Sequence, residues 1–350
     1  MALYLLSFLS CIFFVIIYRD KNLKIICNDI VLLGICFLFI FLVGFRYDSG
    51  ADYWSYYKIF HGINEKNLAS EPGFQFLIKF YRMFSHSYNG FVFFIACISI
   101  FVKFLFFRKM ENPYLALFIY IAIFSFNLEF NAIRQGLAAS FVLHAVYFAQ
   151  KKKLLIYILL IAIASSIHVS SLVFFPLYFF ISREFILKIN AVFALIVIAF
   201  IIRLYLMGNI LSVMGLFLEN ISGISGIGRV VMYLRVTEIP TLELGAIRRI
   251  VMCILFVLLN NHIKINNAYF NLYLIGTIIF ILFMGNDIIS YRLSLVFDIF
   301  LIPLLANIKT TYNYRNIFTL ALLVILSFTM YWVTLQSKAQ NFVPYQTYIL

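Results

Sequence analysis

Charge is scarce in this chain of 350 residues: 12% are Asp, Glu, Lys or Arg, 64% are apolar, and mean hydropathy is +1.01. Soluble domains carry about 25% charged residues, so a soluble fold, and with it a separate soluble catalytic domain, is excluded. Acidic residues are the scarcest class, 14 against 27 Lys plus Arg, a net charge of +13. The five cysteines (Cys11, Cys27, Cys36, Cys97, Cys253) are odd in number, lie in or beside apolar runs and show no CxxC or Cys/His spacing. That pattern excludes a disulfide framework and a metal site and leaves small hydrophobes. No nucleic-acid motif is present, and no repeat of 20 to 50 residues, as many transporters built from inverted halves would show.

What is present is apolar sequence in bilayer-sized pieces. Runs at about 2 to 18, 28 to 45, 88 to 107, 113 to 130, 132 to 149, 154 to 166, 168 to 182, 189 to 208, 247 to 260, 268 to 285, 290 to 308 and 316 to 335 give twelve spans. A span needs about 20 residues, and only helices or closed barrels satisfy backbone polar groups in lipid. The expected fold is an all-α polytopic membrane protein of about 12 transmembrane helices, a single domain over residues 1 to 350. The first run precedes its charges, so it reads as a retained span and not a cleaved signal. Two segments are too polar to span, 46 to 87 and 209 to 245. The glycine-rich stretch at 221 to 228 lacks the Lys-Ser/Thr of a phosphate loop and reads as part of the second segment.

Placing Arg19, Lys21 and Lys24 in the cytoplasm puts both long loops outside. Ten of 14 lysines then fall inward, Lys103 among them near a span end, and nine of 13 arginines fall outward: Arg46, Arg82, Arg134, Arg203, Arg229, Arg235, Arg248, Arg249 and Arg292. Inward lysine is ordinary topology signal. Outward arginine opposes it, and its guanidinium fork is suited to phosphate oxygens.

The stretch from Phe45 to Tyr57 packs Arg46, Tyr47, Asp48, Gly50, Asp52, Tyr53 and Trp54 at the membrane boundary. An aromatic interfacial belt with a structural ion pair would use these residues. So would a carbohydrate and phosphate surface, with rings stacking on sugars, carboxylates accepting hydroxyl protons and Arg46 meeting an anion. Glu71-Pro72-Gly73-Phe74 closes the same loop, with proline and glycine expected to turn Glu71 towards the site. Asn127, Asn131 and Arg134 stand at i, i+4 and i+7, one face of a helix, with Gln135 adjacent. His168 opens a span with Ser165 and Ser171 at i−3 and i+3. Asp287, Tyr291 and Asp298 recur at helical spacing beside Arg292, as a polar network or an active-site wall.

In this order, the Arg-Tyr-Asp-Ser-Gly-Ala-Asp-Tyr run, Glu-Pro-Gly-Phe, Asn-Ala-Ile-Arg-Gln-Gly-Leu-Ala and His-Val-Ser-Ser make the chain resemble the EpsG-type polysaccharide polymerases, relatives of the bacterial O-antigen polymerases called Wzy. The resemblance runs from Arg46 to Pro344-Tyr345. It implies an inner-membrane glycosyltransferase of the class C type, acting at the periplasmic face without cofactor, metal or nucleotide sugar. The implied partners are repeat units on undecaprenyl pyrophosphate, membrane lipids and a chain-length regulator. Within that reading Arg46, Arg134 and Arg292 bind pyrophosphate; Asp48, Asp52, Glu71 and His168 are the base candidates; and Tyr47, Tyr53, Trp54, Asn131, Gln135 and Tyr291 contact sugar. An O-antigen ligase shares the same outward chemistry, and a lipid-linked glycan exporter is the non-enzymatic alternative. A membrane O-acyltransferase would bring His/Arg pairs in early spans, and no histidine precedes residue 46.

Overall fold

The computed structural model describes residues 29–63, 71–182, 189–207, 243–259 and 265–307, a few positions of the first apolar run and parts of 331–348. Arg229, Arg235, the glycine-rich stretch, Pro344, the side chain of Asp287 and most of the first and last apolar runs lie outside the described residues. The chain forms two compact units.

The first unit is built around the helix Ile133–Gln150, whose Ala138, Ala139, Val142, Leu143, Ala145, Val146 and Ala149 are all buried. Small alanine side chains let neighbouring backbones come close, which is how helices associate in lipid. Around it pack Tyr88–Phe107 and Leu154–Ile167, and Asp29–Gly44 packs against Tyr88–Phe107. The outward faces are apolar: Leu155, Leu159 and Ile163, at i, i+4 and i+8, all face out, as do Ile30, Phe37, Leu38 and Phe41. The interior holds charge, Lys103 and Glu129 being at most 1% exposed. Apolar outside and ionised inside is the pattern of a protein solvated by lipid.

Tyr88–Phe107 has 20 residues and the length and apolarity to cross a membrane. The apolar helices Asp29–Gly44, Leu154–Ile167, Ile189–Ile202 and Asn267–Leu282 run to 14 to 16 residues. Twelve full spans therefore stay an expectation.

Two expected helices depart from regularity. From Pro113 the chain is α-helical to Ile119, then π-helical over Tyr120–Phe124 and Phe126–Asn131, and it breaks at Ala132 (φ −89°, ψ 66°) before Ile133–Gln150. The expected single face of Asn127, Asn131 and Arg134 is thus corrected. A widened helix followed by a break separates Arg134 from the two asparagines, and the Ala132 N–H reaches back five residues to the Asn127 carbonyl at 2.8 Å. His168 likewise does not share a face with Ser165 and Ser171. It is extended (φ −150°, ψ 120°) and separates Leu154–Ile167 from the 3₁₀ turn Val169–Leu177.

A short antiparallel ribbon joins distant parts of this unit, Arg46 opposite Thr347 and Tyr47 opposite Gln346. Tyr345 fastens it by donating to the Leu42 carbonyl at 2.8 Å. In the polar segment 46 to 87 the chain forms two short helices, Tyr53–His61 and Pro72–Arg82.

The second unit contains Ile189–Ile202, Leu244–Leu259, Asn267–Leu282 and Asp287–Asp298. At its centre Arg249 grips Asp298, its Nε donating at 3.0 and 3.1 Å to the two carboxylate oxygens. Nη2 also donates to Asp298 and to Ser294 Oγ at 3.1 Å, Nη1 donates to the Gly245 carbonyl at 3.0 Å, and Cζ lies 3.9 Å from the Phe280 ring centroid. Arg203 is also buried and donates to the Met284 carbonyl.

Candidate functional site

Three of the sequence motifs meet at one carboxylate. Glu71 stands just before Pro72–Arg82, with Pro72 at the first helical position, where its missing N–H costs nothing. The expected proline-glycine turn is therefore a helix start. Gly73 is needed because a Cβ there would lie 2.3 Å from Ser166 Oγ and 2.8 Å from the Ser166 carbonyl. That close approach brings Glu71 to the chain around His168. One carboxylate oxygen faces His168 Nδ1 at 3.1 Å and accepts from the Val169 N–H at 3.3 Å; the other accepts from Arg134.

Each member of this cluster is less than one-fifth exposed. Burial raises the Glu71 pKa, but the His168 hydrogen bond and the Arg134 charge more than offset it and hold the group at about 2. Glu71 is therefore an anion at any physiological pH. With a carboxylate on Nδ1, neutral His168 carries its proton there and presents Nε2 as the free lone pair. Arg134 lies over the faces of Tyr56 and Phe74, 5.6 and 5.8 Å from their centroids, and its Nε has no acceptor among the described residues.

The motif loop lies against the same helix break. Gly50 has φ +94°, and a Cβ there would sit 2.0 Å from the Phe130 carbonyl, so only glycine fits. The Asp52 N–H donates to Asn131 Oδ1 at 2.9 Å. Asp48, in the left-handed region at φ 45°, accepts from the Trp54 indole. Tyr47, Tyr53, Trp54, Tyr57 and Tyr88 form an edge-to-face run with centroids 5.2 to 6.3 Å apart. Tyr53 donates to Asn89, and burial pushes its phenol up to about 12. Tyr47 and Trp54 keep exposed ring surface.

Arg46 lies beneath this loop and is buried. It donates to the Val43 carbonyl at 2.9 Å and sits 5.4 Å from the Phe130 ring centroid, while its Nε has no acceptor among the described residues. Gln135 is buried in the first turn of its helix. In the second unit Arg292 and Tyr291 are exposed, Tyr291 standing edge-on to Phe280 at 5.0 Å. Asp298 serves Arg249 and not an open wall.

Sequence reasoning missed Tyr56, whose ring faces Arg134, and the returning strand Gln346–Thr347. It also placed Lys103 at the inner face near a span end, whereas Lys103 pairs with Glu129 at 2.8 Å inside the protein. An ionised residue within each of two apolar runs was the available signal. No group of three or more His, Cys, Asp or Glu able to hold a metal occurs among the described residues.

The fold and site define a helical membrane protein with a carboxylate held between a guanidinium and an imidazole beside an aromatic loop. The EpsG family model matches residues 29–347, and the chain belongs to the EpsG family. Membership gives it a polysaccharide-polymerase-like role of the glycosyltransferase type. No curated protein and no solved structure matches the chain.

Proposed function

We propose that this protein transfers a growing glycan from undecaprenyl pyrophosphate to a hydroxyl at the non-reducing end of a new lipid-linked repeat unit, at the periplasmic face of the bacterial inner membrane. The observation that carries the reading is the Arg134–Glu71–His168 cluster. Three separate motifs supply one cation, one fixed anion and one titratable ring within hydrogen-bonding reach. Pyrophosphate is already a good leaving group, so such an enzyme must stabilise developing negative charge and accept one proton.

In this mechanism Arg134, held against Glu71 and over the Tyr56 and Phe74 rings, binds pyrophosphate, and Arg46 supports the motif loop from beneath. Prearranged guanidinium donors contribute up to a few kcal/mol each in a site that excludes water. Among the four base candidates the geometry favours His168. A carboxyl held at about 2 is a weak proton acceptor, so Glu71 orients the ring while Nε2 takes the acceptor hydroxyl proton. Asp48 and Asp52 belong to the aromatic loop, where Tyr47 and Trp54 offer exposed faces to sugar rings and the buried Tyr53 backs them edge-on. A chain-length regulator is the further partner in this proposed cycle.

The test is reconstitution of purified protein with lipid-linked repeat units alone. Formation of multi-repeat glycan on the lipid supports the proposal. Transfer only when lipid A core is supplied would indicate the ligase, and movement across the bilayer without elongation would indicate an exporter.

A further inference from the structure

We infer that Lys103 is a positioning residue, which holds the helix break at Ala132 so that Asn131 and Arg134 meet the motif loop and Glu71. Lys103 comes from Tyr88–Phe107, a different helix from either contact, and is 0% exposed. Its ammonium donates to Glu129 Oε1 at 2.8 Å, before the break, and to the Gly136 carbonyl at 2.8 Å, after it. One cation thus ties together both sides of an irregular turn. Ser99 Oγ accepts from Lys103 at 2.6 Å and donates to the same Glu129 oxygen at 2.9 Å, and the Tyr120 hydroxyl completes the set.

The six residues between these anchors include both site contacts, Asn131 to the Asp52 N–H and Arg134 to Glu71. Packing reinforces the tie: a Cβ on Gly136 would lie 2.3 Å from the Leu128 carbonyl, so the two arms of the break touch. Two consecutive π-helical stretches leave this turn without the regular ladder that would otherwise fix its angle. A buried ion pair is weak evidence for stability, since well-packed apolar replacements are often neutral or stabilising. Its value here lies in geometry, because an apolar pair would fill the space and leave the Gly136 carbonyl and Glu129 arm untied. The inference rests on the reading of Arg134 and Glu71 as site residues.

The experiment compares Lys103→Met/Glu129→Leu with wild type in detergent, by amide hydrogen exchange and melting, and in a deletion strain by glycan ladder. The expected result is a protein that still melts cooperatively, with exchange at least about tenfold faster in residues 127 to 137 and 46 to 57 only, and a shortened ladder. Unchanged exchange there, or a rise equally large in 88 to 107 and 154 to 167, overturns the inference. If the double variant does not accumulate, Tyr120→Phe removes one donor to Glu129 at almost no change in volume. The same localised rise then supports the inference, and its absence overturns it. Localised exchange with a normal ladder sustains the positioning and counts against the polymerase reading of Arg134.

Discussion

Replacing Glu71 by Gln asks how much of the site depends on one negative charge. The carboxyl falls from an ordinary 4.5 to about 2, which corresponds to roughly 3 kcal/mol favouring the anion in the folded protein. Because the folded value is the lower one, that contribution is complete above the unfolded value near 4.5 and is lost as pH falls through about 2. Wild-type protein should therefore show no loss of melting temperature or activity attributable to Glu71 between pH 5 and 8. Glu71→Gln imitates the protonated acid at every pH, so it should forfeit most of that roughly 3 kcal/mol and lower the melting point in detergent. The variant also leaves His168 without an anionic partner, with an expected fall in elongation of about 10²- to 10⁴-fold. The assays are thermal unfolding of purified protein and a gel of glycan from a complemented deletion strain. A Glu71→Gln protein with wild-type melting and a full ladder would refute both the clamp and its role.

Arg134→Ala should leave protein in the membrane but yield glycan carrying a single repeat, and normal ladders would remove Arg134 from the site. Arg46→Lys keeps charge but loses the fork, at a cost of about 1.5–3 kcal/mol in charged hydrogen bonding; wild-type chain length would show that the fork is unnecessary there. Gly50→Ala should abolish accumulation or detach the motif loop, since its Cβ would strike the Phe130 carbonyl, and unaltered expression and ladder would disprove that packing. Arg249→Met should cost about 3–5 kcal/mol by stranding Asp298, whereas Arg249→Met/Asp298→Leu should recover most of it, as read by melting.

Membrane embedding was readable, and Glu71, Arg134 and His168 could each be singled out, because charged and titratable residues are types that lipid-facing helices avoid. That the three meet was not readable, and neither was the path that unites them. Periodicity assumes 3.6 residues per turn, and the π-helical stretch before Ala132 violates it, so Asn127 and Arg134 were placed on one face that the chain does not form. Pro72 and Gly73 carry the same letters whether they make a turn or begin a helix, and only packing against Ser166 decides it. Arg46 read as an outward phosphate ligand, yet the returning strand and the Phe130 ring cover it. Pairings such as Arg249 with Asp298 span tens of residues and have no local spacing to reveal them.

The ribbon that pairs Arg46–Tyr47 with Gln346–Thr347 has a consequence for biosynthesis. A ribosome releases the motif loop early and its partner strand only after nearly all the helices have been inserted. Throughout that interval the edge of Arg46–Tyr47 is unpaired and the loop lacks its final anchor at Tyr345. Site assembly is thereby coupled to complete insertion, so a chain stalled or cut before residue 345 would occupy membrane without presenting a finished first motif to its substrate.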